Sequence, residues 1–270
     1  MIVDSHCQSF GSYSVTRSSG KVENDAIAEE VPVALVYNGI SHAVMLATPQ
    51  DLADFALGFS LSEGIIKVPS EMYDIDIVTE ASGISLQINI PTERFSGLKQ
   101  VRRILAGRTG CGLCGTDSLE HAIKTLEPLN KINFCIQHDA LLSAYRSMPS
   151  HQALQIVTGA THASAWVSLQ GEILLVREDV GRHNALDKLI GSLAKSSIDI
   201  TSGFILTTSR ASYEMVQKTV SAGVQLLAAV SAPTGLAIRM ADKSGLALVG
   251  FLRDKSYVIY SHVMKIKPHI

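Results

Sequence analysis

The second half of this chain alternates apolar strand patterns with helical ones, and that alternation limits the folds open to it. A helix carrying Leu141, Leu142, Tyr145 and Met148 precedes strands at Ala163–Ser168 and Ile173–Val176, joined at Gln170-Gly171. Helices are then predicted near residues 184–193, 213–222 and 234–241. Each is followed by a strand, at Phe204–Thr208, Leu226–Val230 and Leu246–Phe251 in turn, with a last strand at Tyr257–Tyr260. Apolar strands of this kind need helices on their faces, so the expected fold is a layered α/β domain around a mixed sheet.

The first half reads as a smaller α+β unit. Asn38-Gly39 between Val31–Tyr37 and Ile40–Ala47 is a hairpin signal. Thr48-Pro49 is expected to open a helix whose buried face carries Leu52, Phe55, Ala56 and Phe59, with Gly64 as its stop. Ile75–Thr79 and Ile84–Ile90 form a second hairpin around Ser82-Gly83. Leu98, Val101, Ile104 and Leu105 mark another helix, which leads into a glycine-rich loop and a short helix ending at Leu126. With a break at Pro128 and Asn130, the division is a flexible tail (1–20), an N-terminal α+β domain (21–129) and a C-terminal α/β domain (130–270).

A net charge of −2 gives no electrostatic basis for sequence-independent nucleic-acid binding. Thr219–Ile238 carries no charge, yet Ser221, Gln225, Pro233 and Thr234 make it too polar for a bilayer core. The polar first twenty residues show no secretory pattern. Four cysteines in 270 residues do not make a disulfide framework, so a cytoplasmic protein is expected.

Two of those cysteines, Cys111 and Cys114, sit in Gly107-Arg108-Thr109-Gly110-Cys111-Gly112-Leu113-Cys114-Gly115. Cysteines that only filled a core would lie among apolar residues. Here glycines leave the backbone free and accessible, and a following helix start with Arg108 nearby favours the thiolate. A structural zinc site would need two further ligands, drawn from His121, Cys135 or a distant histidine. A thioredoxin-like pair would need a preceding strand, where a helix is expected. Zinc deaminase chemistry is excluded: no histidine has Glu two positions on, and Gly110 stands where proline belongs.

Three further segments carry polar chemistry. Arg177–Lys188 joins a strand end to a helix start; within it Gly181-Arg182-His183 suits close approach to an anion, while Asp187-Lys188 reads either as part of the same polar set or as the helix's solvated face. Thr207–Ser212 and Ser231–Gly235 each place small hydroxyl residues between a strand end and a helix N-terminus, where free N–H groups favour phosphate. The segment Gly250–Ser256 reads as a turn. On residues alone the chain is a reactive dithiol loop on an α/β domain that binds a phosphorylated ligand.

Four stretches in order resemble the FdhD family of formate dehydrogenase accessory sulfurtransferases. They are the 107–115 loop, Glu178–Lys188, Thr208–Met215 and Ser231–Ala237, within a similarity that runs from about Asn24 to the C-terminus. The resemblance implies a sulfur carrier that takes persulfide sulfur from a cysteine desulfurase on Cys111, with Cys114 assisting or joining the relay. The acceptor is the molybdenum cofactor, bis-molybdopterin guanine dinucleotide, bound as substrate before it enters formate dehydrogenase; no metal ion is bound directly. It also implies a homodimer and a C-terminal domain of cytidine deaminase-like, three-layer fold without the deaminase residues. The family's cofactor-binding segment falls on Phe251, Leu252, Arg253, Asp254, Lys255 and Ser256, with Arg182, Ser209, Arg210 and Thr234 as candidate phosphate contacts and His183 as a further cofactor-binding residue. The readings set against it are a zinc-binding structural or hydrolytic protein and a cofactor-delivery chaperone without sulfur transfer.

Overall fold

The structure is a computed structural model and describes residues 8–98, 126–130 and 132–267. It is a mixed α/β molecule with two larger sheets. The first, of four strands, runs in the order β4(Ile40–Ala47)-β3(Val31–Tyr37)-β6(Gly83–Asn89)-β5(Asp74–Glu80). Its two hairpins turn where expected: Asn38 and Gly39 take φ of 47° and 79°, the left-handed pair that a two-residue turn requires. Val31, Val33, Leu35 and Tyr37 alternate inward on β3, and α1 (Leu52–Ser62) covers them with Phe55 and Phe59.

Helix α1 starts three residues later than the Thr48-Pro49 cue predicts, because Thr48 is held elsewhere. Its N–H donates to Asp179 Oδ2 at 3.0 Å, its hydroxyl accepts from Val180 N–H at 3.1 Å, and its carbonyl accepts from Lys188 Nζ at 2.9 Å. The expected tail also differs. Phe10–Thr16 is a strand, β1, in antiparallel register with β2 (Val22–Ala28). Both strands are largely exposed, so they carry no apolar period. Backbone pairing holds them, with Tyr13–Glu29 and Arg17–Glu23 contacts across and beside the ladder.

The second sheet has six strands in the order β13(Val258–Ser261)-β12(Ala247–Gly250)-β11(Leu226–Ala229)-β10(Gly203–Thr207)-β8(His162–Ser168)-β9(Ile173–Asp179). Strands β10, β11 and β12 are parallel, while β8 runs antiparallel to both β10 and β9. Alternation along the strands divides the core in two. Ala163, Ala165, Phe204, Leu206, Ala228 and Val249 face α2 (His138–Ser147). Trp166, Ile205, Leu227 and Leu248 face α4 (Arg182–Lys195), α5 (Tyr213–Ser221) and α6 (Gly235–Ser244). This gives three layers, completed at one edge by the short α3 (Ala153–Thr158).

The sheets are joined where α1 crosses α4. A Cβ on Gly58 would lie 1.7 Å from the Asp187 carbonyl oxygen, and one on Gly191 would lie 1.9 Å from that of Asp54. Only glycine permits that approach. Among the described residues no helix is long and apolar enough to cross a membrane.

Candidate functional site

Strand direction gathers the site. Because β9, β10, β11 and β12 point the same way, their carboxyl ends deliver residues 180–183, 208–212, 230–234 and 251–256 to one edge of the sheet. Strand β8 runs oppositely and brings its first residue, His162, to that edge opposite Asp179. The loops are stitched to one another by backbone bonds: Ala211 N–H to Ala232 O, Thr234 N–H to Ala211 O, Ser231 N–H to Ser209 O and Phe251 N–H to Ser231 O.

The acidic motif at the end of β9 is mostly a framework turned inward. Asp179 is fully buried and accepts four donors: Thr48 N–H, Gly181 N–H, the Asn184 amide and Lys188 Nζ, the last at 2.6 Å. Asp187 and Lys188 are not a solvated face. They are 1% and 0% exposed, because α1 lies over this side of α4. Asp187 pairs with Lys218 Nζ at 2.9 Å and accepts from Ser62 Oγ at 2.6 Å, and Lys218 also reaches Glu63 at 2.9 Å. Burial pushes the Asp187 carboxyl up, while its carboxylate neighbours Asp187 and Glu63 hold Lys218 above its usual value against burial. Desolvation lowers Lys188 despite Asp179 beside it.

Arg182 and His183 stand half-buried at the edge. Helix α4 opens on Gly181, which has no side chain to cap it, and the Arg182 Nε is buried without a hydrogen-bond partner. An orphaned guanidinium nitrogen at a helix N-terminus fits an anionic ligand oxygen. His183 Nε2 lies 2.7 Å from Glu214 Oε2 and 3.4 Å from Ser212 Oγ. Burial drives its pKa down, Glu214 opposes this, and Arg182 and Lys218 add to the lowering.

The other expected contacts divide by burial. Arg210, Arg253, Lys255 and Ser256 are exposed at the edge, and the Arg253 guanidinium folds back onto the Val230 and Leu252 carbonyls. Phe251 is half-exposed in the left-handed region at φ 50°. Asp254 does not face the edge as a bare acid, since Arg146 Nε of α2 pairs with it at 2.6 Å. Thr234 caps α6 by accepting from Ala237 N–H at 3.3 Å. Ser209 is buried and engaged with Thr207 Oγ1 and the Arg210 carbonyl, and Leu252 is fully buried in the core beneath α2. The side chains of Ser209 and Leu252 are therefore turned into the fold rather than toward the edge. Cys111 and Cys114 lie outside the described residues.

Beside this edge is a cavity of about 570 Å³ that the motifs do not reveal, lined by residues that include Tyr145, Gln152, Gln155, Thr161, His162 and Thr208. His162 and Thr208 belong to both the cavity and the strand edge, and burial, with the charge of Arg182 as a lesser cause, lowers the His162 pKa. One signal was available in the sequence: a strand antiparallel to its neighbours brings its amino end, here Thr158-Gly159-Ala160-Thr161-His162, to the edge where the other strands finish.

Comparison with known proteins gives one answer. The chain is 57% identical over 243 residues to "Sulfur carrier protein FdhD" of Cupriavidus necator, covering 90% of this chain and 84% of the relative. The protein of the same name from Acinetobacter baylyi is 50% identical over 261 residues, covering 96% and 95%. A crystal structure described as a formate dehydrogenase accessory protein from Desulfotalea psychrophila superposes with a TM-score of 0.70, covering 96% of this chain and 98% of that one. At 23% identity that likeness speaks to the fold alone. The FdhD/NarQ family matches residues 28–267, so the motif thiols and the strand-edge loops fall within one match, and the chain belongs to the FdhD/NarQ family.

Proposed function

We propose that this protein accepts sulfur from a cysteine desulfurase and passes it to bis-molybdopterin guanine dinucleotide, bound as substrate, for use by formate dehydrogenase. The observation that carries the reading is family membership over residues 28–267, among relatives named as sulfur carriers. The thiolate of Cys111 attacks the outer sulfur of the donor's persulfide. The donor cysteine leaves as thiolate, and Cys111 now holds the sulfur. Attack by Cys114 on the inner sulfur closes a Cys111–Cys114 disulfide and expels hydrosulfide, so the two thiols supply the electrons that bring the sulfur to the sulfide level.

The strand-edge site supports the substrate half of this reading. Arg182 offers a buried, unpartnered Nε, and Arg210, Arg253 and Lys255 add exposed charge at the same edge. These cations suit the phosphates of a guanine dinucleotide, and the adjoining cavity is large enough to receive its base. His183, held by Glu214, is a hydrogen-bond partner beside them. We further propose a cytoplasmic homodimer, with domains at 21–129 and 130–270 and a cytidine deaminase-like C-terminal fold. The test is complementation: in cells lacking this protein, wild type restores formate dehydrogenase activity and Cys111→Ala does not. Restoration by Cys111→Ala would favour a delivery chaperone, and stoichiometric zinc bound at the thiols would favour a metal clip.

A further inference from the structure

Glu178 is the one carboxylate of the β9 motif that turns toward the cavity side. It is 6% exposed, and its two oxygens accept from Leu154 N–H and Gln155 N–H, both at 2.8 Å, and from the Thr161 hydroxyl at 3.0 Å. The two amides belong to the first turn of α3, so Glu178 caps that helix from 23 and 24 residues away in sequence. Gln155 then reaches across: its Oε1 accepts from Thr161 N–H at 2.8 Å. Gln155 and Thr161 both line the cavity, together with His162, the next residue. A buried carboxylate on three donors fixes this wall in one arrangement, because the first-turn amides have no intrahelical partner of their own.

We propose that Glu178 is a positioning residue for ligand binding: it holds α3 and the 158–162 loop in the shape that receives the uncharged, planar end of the ligand, while Arg182 holds the phosphates. The proposal rests on the phosphate-ligand reading above. It separates two neighbouring carboxylates by task, with Asp179 tying β9 to Thr48 and α4, and Glu178 tying β9 to the cavity wall. Loss of Glu178 therefore acts on one end of the ligand and spares the other.

The experiment is calorimetric titration of the full chain with GDP and, separately, with pyrophosphate, for wild type, Glu178→Gln and Glu178→Asp. Glutamine keeps the shape but turns an NH2 donor toward a backbone or hydroxyl donor. Aspartate keeps the charge but falls one methylene short. The expected result is that wild type binds GDP more tightly than pyrophosphate. In Glu178→Gln the GDP Kd rises about tenfold while the pyrophosphate Kd stays within about twofold. Glu178→Asp falls between. Fluorescence of Trp166, the chain's one tryptophan and fully buried, checks that each variant is folded. Equal weakening of both ligands, or no change in GDP binding, overturns the proposal. Wild type binding pyrophosphate as tightly as GDP overturns it while leaving the phosphate site standing; wild type binding neither overturns the phosphate reading and this proposal with it.

Discussion

Replacing Lys188 by methionine keeps the side chain's apolar stem, ends it one atom short, and removes its charge from a place with no access to water. Lys188 is 0% exposed, 2.6 Å from Asp179 and 2.9 Å from the Thr48 carbonyl. Its loss leaves a buried carboxylate without its cation and a buried carbonyl without its donor, a change that costs about 3–5 kcal/mol. Asp179 keeps three N–H donors, from Thr48, Gly181 and Asn184, so the lower end, about 3 kcal/mol, is expected. At roughly 2–4 °C per kcal/mol for a chain near this size, thermal unfolding shifts down by about 6–12 °C. Adding Asp179→Asn removes the stranded charge, so the double variant recovers part of the loss, with a coupling of more than ~1 kcal/mol in the cycle. Sodium chloride at high concentration leaves the difference unchanged, because screening acts on exposed charges. A single variant within ~1 kcal/mol of wild type, or strictly additive losses, refutes the reasoning.

Gly58→Ala places a methyl group 1.7 Å from the Asp187 carbonyl and forces α1 off α4, lowering stability in urea by about 1–3 kcal/mol or more; an unchanged urea midpoint contradicts the helix crossing. Arg182→Ala removes the guanidinium with its unpartnered Nε and weakens both GDP and pyrophosphate by roughly ten- to hundredfold in calorimetry, the range of a hydrogen bond to a charged group. The His183 pKa is lowered by burial, so below about pH 6.5 the unfolded chain takes up the proton first. Stability therefore falls as pH drops from there toward the folded pKa, and His183→Gln flattens that slope in pH-dependent melting. A steeper slope in His183→Gln contradicts the assignment.

Features written in neighbouring residues were legible. Asn38-Gly39 specified its own turn, Thr234 capped α6, and apolar alternation along β8, β10, β11 and β12 divided the core between α2 and α4–α6. That the Thr207–Ser212 and Ser231–Gly235 loops meet at one sheet edge followed from strand ends alone. Features made by distant partners were not legible. Thr48 resembles a helix cap until Asp179, 131 residues on, claims its N–H, and Asp187-Lys188 resembles a wet helix face until α1 covers it. Glu178 caps a helix it does not belong to, and the cavity forms from α2, α3 and three strand termini that share no motif. The β1–β2 hairpin lacked a signal because both its faces stay wet.

The most direct test of the account is anaerobic sulfur loading. The protein is incubated with a cysteine desulfurase and labelled cysteine, and added sulfur is mapped by intact mass and peptide analysis beside Cys111→Ala. The account predicts a gain of one sulfur on Cys111 that the variant lacks. No gain in wild type, or the same gain in Cys111→Ala, would contradict it.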